Sequence, residues 1–247
     1  AMVDVNNDGS PDYAYAADIG GGIYRLDFVT SPTALAVAGT QSDWTFRKVA
    51  ATSTLLTTAR RKFLQPPALL YSNNKVYVAI GSGDREHPMI GDYPYTGVVN
   101  RFYVYLDNLL AAAPITVTDL DGMEDYTTRD SCTTPPVLPN GTLRGWFMDL
   151  NQFGQGEQTV TSALIVGGMV TFSTNRPIPD PGASCATTLG EARGYWVNLL
   201  NASGAIGVDG ACGGKRSSVF VGGGLPPSPV FANSVGIGTK GETVSVV

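Results

Sequence analysis

Apolar and polar residues alternate along much of this chain with a period of two, the signature of strands with one face buried. Tyr13-Ala14-Tyr15-Ala16-Ala17 and Ile23-Tyr24-Arg25-Leu26-Asp27-Phe28 are two such runs around Gly20-Gly21-Gly22, and they predict a hairpin. Trp44-Thr45-Phe46-Arg47-Lys48-Val49 predicts a third strand, and residues 51–65 read mostly as loop. Pro66-Pro67 then introduces Ala68-Leu69-Leu70-Tyr71, an Asn73-Asn74 turn, and Lys75-Val76-Tyr77-Val78-Ala79-Ile80-Gly81. Asn at both turn centres suits the positive φ of a tight hairpin.

The arrangement returns. Thr161-Ser162-Ala163-Leu164-Ile165-Val166 turns at Gly167-Gly168 into Met169-Val170-Thr171-Phe172-Ser173-Thr174. Pro227-Ser228-Pro229-Val230-Phe231 turns at Ala232-Asn233-Ser234 into Val235-Gly236-Ile237-Gly238-Thr239. A second strand type recurs at Ile23–Asp27, Tyr103–Asp107, Gly145–Leu150 and Gly194–Leu199: an aromatic, then an apolar residue, then Asp or Asn. Trp44, Trp146 and Trp196 fall in predicted strands and are read as core or blade-interface residues. No long stretch has a 3.6-residue period, and Val117 to Tyr126 is the best candidate for one short helix. Irregular copies of a few-strand sheet, joined by loops of uneven length, predict an all-β chain: a β-propeller with modified blades, its ring closure left open. At roughly 40–50 residues a blade, the chain would hold about four to six. A β-sandwich also has many short strands, but the paired repetition favours the propeller. All 247 residues are assigned to this single domain.

Composition agrees. Apolar residues make up 43% of the chain, enough for a core, while charged residues at 15% are too few for a disordered chain or a coiled coil. Thirty glycines and sixteen prolines demand many turns. The formal net charge of −5 argues against nucleic acid or an anionic membrane as the main partner, and no apolar run reaches the length of a membrane span. No signal peptide is visible; the chain opens on Ala1-Met2-Val3, which reads as a cut within a longer protein. Cys132, Cys185 and Cys212 contain no CxxC pair, which disfavours a zinc site. Cys185 and Cys212 flank the same strand in glycine-rich loops and are the favoured disulfide pair, the other pairings staying open.

The strongest chemical signal lies at Asp4-Val5-Asn6-Asn7-Asp8-Gly9-Ser10-Pro11-Asp12. Oxygen-bearing side chains fall at the first, third, fifth and ninth positions, with glycine at the sixth. A hard cation such as calcium takes about six to eight oxygens, and alternate positions of a tight loop can point inward together. The expected metal ligands are Asp4, Asn6, Asp8, Ser10 through its carbonyl, and Asp12. This is the first part of an EF-hand loop, but position twelve is Tyr15 and not a glutamate, so Asp12 would close the site. Three carboxylates suggest an affinity of roughly 10⁻⁵–10⁻³ M. A solvated, Asx-rich turn without a metal is the plain alternative.

Other clusters read as structural. Gly81-Ser82-Gly83-Asp84-Arg85-Glu86-His87-Pro88 packs an acid, a base and a cation together, but reads better as a loop in which Asp84 and Arg85 pair or cap backbone groups. No GK[ST] sequence follows, so its glycines do not cradle phosphate. Asp119, Asp121, Glu124 and Asp125 suit the N-terminus of the short helix better than a second metal site. The lone histidine, His87, cannot by itself make a transition-metal site, and Ser162 and Ser173 have no histidine for a hydrolase triad.

Taken in order, these residues resemble a known family. The calcium-type loop with Tyr15-Ala16-Ala17-Asp18 and Gly22–Asp27, then Ile80–Pro88, Asn100-Arg101-Phe102-Tyr103, Gly145 through Glu157 and Val170–Thr174 are similar to the C-terminal domain of the PilC/PilY proteins of bacterial type IV pili. The resemblance implies a modified propeller with one calcium ion, carried at the pilus tip or on the outer membrane at the bacterial surface. It implies a role in pilus biogenesis, in pilus extension and retraction, in twitching motility and in cell adhesion. Pilins or minor pilins, and a host-surface ligand, are the implied partners. Asn6 stands where such loops often carry an acid, which lowers the loop's charge, and no Arg-Gly-Asp tripeptide supports an integrin-type contact. Two other classes compete. A calcium-dependent lectin-like binder would hold sugar hydroxyls at an open coordination position. A quinoprotein-type propeller enzyme would need ligands converging on a central cofactor and a catalytic aspartate, which the local loop does not offer, so no enzymatic activity is expected.

Overall fold

The computed structural model describes residues 1–30, 37–52, 60–87, 97–111, 116–128, 144–179, 189–208, 213–237 and 242–246. Its strands, in chain order, begin with β1 (Met2–Val3), β2 (Tyr13–Ala17), β3 (Gly22–Asp27), β4 (Thr45–Ala51), β5 (Ala68–Ser72) and β6 (Lys75–Gly81). They continue with β7 (Arg101–Asn108), β8 (Thr118–Asp119), β9 (Glu124–Asp125), β10 (Gly145–Asp149), β11 (Gln158–Thr159) and β12 (Leu164–Val166). The last are β13 (Met169–Arg176), β14 (Glu191–Asn198), β15 (Ser217–Val219), β16 (Ala232–Ile237) and β17 (Glu242–Val246). Three sheets result, in the orders β1-β2-β3-β4-β8, β5-β6-β7-β10-β9 and β11-β13-β14-β15, with β12 also on β13. A separate hairpin joins β16 and β17. None of the sheets closes on itself. The fold is all-β and fits an irregular, incomplete β-propeller.

Period-two alternation explains how the sheets stack. In the middle sheet Val76, Val78, Ile80, Tyr103, Tyr105 and Phe147 join Tyr13, Tyr15, Ile23 and Val49 of the first sheet in one apolar cluster. The intervening residues Ala79, Phe102, Val104, Trp146 and Met148 join Val170, Phe172, Tyr195 and Val197 of the third sheet in another. Register enforces this split, since Phe147 pairs with Tyr103 and Trp146 with Val104, so same-face neighbours act together. Phe172 lies flat between Phe102 and Tyr195, with ring centroids 3.8 and 4.7 Å away. A sheet buried on both faces, like a blade between two neighbours, is what the aromatic-rich strands build.

Polar groups clamp the same interfaces. Arg25 of β3 is buried and pairs with Asp27 at 2.6 Å and with Asp107 of β7 at 2.8 Å. Tyr15 donates to the same Asp107 oxygen, Oδ2, its hydroxyl 2.7 Å away. The recurrent acid at the end of the aromatic strands is therefore an ion-pair partner: Asp149, likewise, takes Arg101 at 2.6 Å.

Several sequence expectations are corrected. Among the described residues there are three blade-like sheets and not four to six, because each spends residues on long connections; the middle sheet alone runs from Ala68 to Asp149. The helix expected over Val117–Tyr126 is a single 3₁₀ turn, Leu120–Gly122. Parallel pairing holds its flanks, β8 on β4 and β9 on β10, so the segment straps two sheets and has no room for a longer helix. Asp119 caps that turn by accepting the Asp121 N–H, as an N-terminal acid should. Asp121 instead pairs with Arg61 and Arg101 and accepts from Tyr103. Ala232-Asn233-Ser234 is not a turn but lies in β16, where an irregularity in register between Ala232 and Val235 absorbs the polar pair. Trp44 precedes β4 and is 45% exposed, its ring edge-on to Phe28, so it is not core. Cys132, Cys185 and Cys212 lie outside the described residues, and so does their pairing.

Candidate functional site

Asp4–Asp12 is the connection of an antiparallel hairpin at the outer edge of the first sheet: Val3 pairs with Tyr13, and the Asp12 N–H donates to the Val3 carbonyl at 2.8 Å. The side-chain oxygens fold back on the loop's own backbone. Asp4 accepts the Asp8 and Gly9 N–H groups at 3.3 and 2.8 Å, Asn6 accepts the Asp8 N–H at 3.0 Å, and Asp8 accepts the Ser10 N–H at 2.8 Å. Such bonds orient each short side chain and leave lone pairs on the same oxygens. Gly9 carries φ +91°, where a side chain is strained, and Asn7 carries φ 59°, which Asn tolerates.

The electrostatics separate Asp8 from Asp12. The Ser10 N–H and the Asn6 side chain pull the Asp8 carboxyl below its ordinary range. Asp12 is buried, and desolvation outweighs its 2.8 Å hydrogen bond from the Val5 N–H, so its pKa is raised. The charges of Asp4 and Asp8 push it the same way, which shows that the three carboxylates sense one another. The donor set is all oxygen and suits a hard cation in its chemistry. Among the described residues no three carboxylate, imidazole or thiolate groups stand grouped as a ligand shell. Holding an ion would therefore draw on Asn6 and the Ser10 carbonyl besides Asp4, Asp8 and Asp12.

Gly81–His87, the second cluster, is a junction between sheets. A Cβ on Gly83 would meet the Thr159 carbonyl at 2.4 Å, so glycine admits this close approach. Thr159 N–H donates to the Ser82 carbonyl at 3.0 Å, and Asp84 N–H donates to Gln158 Oε1 at 2.6 Å. Asp84 does not pair with Arg85 but with Lys62 and, at 3.0 Å, His87 Nδ1. Burial acts to raise the Asp84 pKa, yet the hydrogen bonds and charges of Lys62 and His87 overrule it, and the net direction is down.

Sequence reading missed Glu157. It is 1% exposed, accepts the Tyr195 and Thr174 hydroxyls at 2.6 and 2.7 Å on one carboxyl oxygen, and burial raises its pKa. A lone acid in the otherwise uncharged stretch from Leu150 to Asn175 was the available hint.

No protein-family model matches the sequence, and no curated protein matches it. Among solved structures the chain resembles the crystal structure of the Pseudomonas aeruginosa PilY1 C-terminal domain, with a TM-score of 0.60 at 17% identity. The chain shares its fold with part of the PilY1 C-terminal domain. The match covers 82% of this chain and 47% of the PilY1 chain, so the present sequence spans about half of that structure. The PilY1 likeness agrees with the family resemblance read from the strands and loops, and at this identity it speaks for the fold. Among the described residues no helix is long and apolar enough to cross a membrane.

Proposed function

We propose that this chain is a calcium-binding, non-enzymatic, propeller-like module of a type IV pilus tip or assembly protein, acting at the bacterial surface. The observation that carries the reading is the Asp4–Asp12 hairpin loop, set at a sheet edge in a fold shared with the PilY1 C-terminal domain. Asp4, Asn6, Asp8 and Asp12 would hold the ion by side chain and Ser10 by its carbonyl. Calcium would neutralise three mutually repelling carboxylates and order β1 against β2. Coupled to a pilin or minor pilin, that local ordering would regulate pilus extension and retraction, and with them twitching motility and adhesion to a host-surface ligand.

Hydrogen exchange with calcium and with chelator tests the first step. Protection is expected to rise in residues 2–17 and to stay level in the third sheet; a uniform rise across all sheets would contradict a local switch. Pilin-subunit affinity in the two conditions tests the second. Calcium and subunit should change each other's affinity by the same factor. Equal affinities would reduce the ion to a structural staple.

A further inference from the structure

A second feature, independent of the calcium reading, lies between the middle and third sheets. It is a cleft of about 680 Å³, with Thr127, Gln152 and Phe153 among its lining on one side. Arg193 and the run from Lys215 to Val219 line the other. Arg193, Lys215 and Arg216 give it positive charge, and no carboxylate lines it among the described residues, although the chain as a whole carries a formal −5. Arg193 is held in place: its guanidinium lies 3.4 Å over the Phe153 ring centroid, with Nε 2.7 Å from Glu191 and Nη1 3.3 Å from the Ser217 hydroxyl. Lys215 is exposed and forms none of the ion pairs found among the described residues.

The same wall carries a strand edge. On its inner side β15 pairs with β14, Ser217 opposite Tyr195 and Val219 opposite Arg193. The Trp196 N–H donates to the Arg216 carbonyl, and the Phe220 N–H donates to the Ala192 carbonyl, so these even-numbered positions face β14. Lys215 faces the other way and exchanges both its backbone hydrogen bonds with Ile206, each 3.0 Å. Alternation along an antiparallel strand then turns the N–H and C=O of Ser217, 7% exposed, and Val219, 46% exposed, away from β14 as well. Past the Ile206 bridge, no described strand pairs with them.

We propose that this cleft binds an extended acidic peptide, which adds a strand along Ser217–Val219 and sets its carboxylates against Lys215 and Arg193. An open edge supplies main-chain hydrogen bonds to another backbone, and alternate side chains of the added strand meet charge or apolar surface. Phe153 and Val219, 41% and 46% exposed, supply that apolar surface. The free backbone edge favours a peptide over an anionic sugar, which cannot pair with a strand.

Calorimetry with an end-blocked hexapeptide of alternating glutamate and valine tests the proposal. The peptide should bind, more weakly as salt rises, and Lys215→Glu should weaken it about tenfold or more. Val219→Pro should do the same, since proline removes an outward N–H that the β14 ladder does not use. Circular dichroism checks that this variant folds. The same peptide N-methylated at alternate backbone nitrogens keeps the charges but cannot pair as a strand, so it tests the edge on the unmodified protein. Equal binding of the N-methylated peptide would overturn strand addition. No peptide binding at millimolar concentration, or binding of oligogalacturonate in place of the peptide, would overturn the assignment. Asp8→Ala should leave peptide binding unchanged, which keeps this result separate from the calcium reading.

Discussion

Asp8 and Glu157 are two carboxylates with opposite surroundings. Asp8 is exposed, and its oxygens orient the loop through the Ser10 N–H and the Asn6 side chain. Asp8→Ala should abolish calcium binding, and calorimetry showing unchanged affinity would remove the ligand assignment. Glu157 is buried with its proton favoured. The folded chain then holds that proton more tightly than the unfolded one, so stability is greatest below the ordinary carboxylate range. It falls as pH rises through the raised folded value. Gln at this position keeps the acceptor for Tyr195 and Thr174 without the ionisation. Glu157→Gln should therefore flatten the loss of stability as pH rises above the ordinary carboxylate range of about 4, read from urea midpoints. A parallel decline in both proteins would mean that other groups set it.

Among the elements, the hairpin β5–β6 shows sequence and structure in agreement. Asn73 and Asn74 carry φ 51° and 60°, as a two-residue turn between right-twisted strands requires. The Asn74 carbonyl also accepts the Leu109 N–H at 3.0 Å, so the turn is tied to the end of β7. Asn74→Gly should leave stability nearly unchanged, whereas Asn74→Ala should cost about 1–2 kcal/mol, because alanine meets the left-handed penalty without the polar side chain that lets Asn offset it. Thermal unfolding of the pair decides it, and equal melting temperatures would show that the turn relaxes. The β16 segment failed as a sequence reading for a related reason. Small polar residues signal a turn, but an irregular strand also takes them up where extra residues must be absorbed.

At the scale of the whole molecule, the contact of first and middle sheets depends on a charge pair that neither strand announces alone. Arg25 and Asp107 lie 82 positions apart and are both nearly excluded from solvent. Asp107→Ala would leave the guanidinium buried with Asp27 as its remaining acid, and should cost about 3–5 kcal/mol in chemical denaturation. Tyr15→Phe removes the hydroxyl bond to the same carboxylate and should cost less, about 1–3 kcal/mol. A smaller loss for Asp107→Ala than for Tyr15→Phe would show that the pair does not hold the sheets.

By itself the sequence determined the strands, the tight turns and the oxygen-rich loop, because each rests on interactions within a few residues. Period-two burial marks Tyr13–Ala17 or Lys75–Gly81, positive φ marks Asn73-Asn74, and Asx side chains bonding their own backbone mark Asp4–Asp12. Only the tertiary structure decided which strands share a sheet, that Arg25 meets Asp107, and that Gly83 admits Thr159. It also turned the acids of 119–125 into a strap and set Arg193 and Lys215 beside an open edge. Those arrangements join residues tens of positions apart, and their energies depend on burial and register, which exist only once the sheets have stacked.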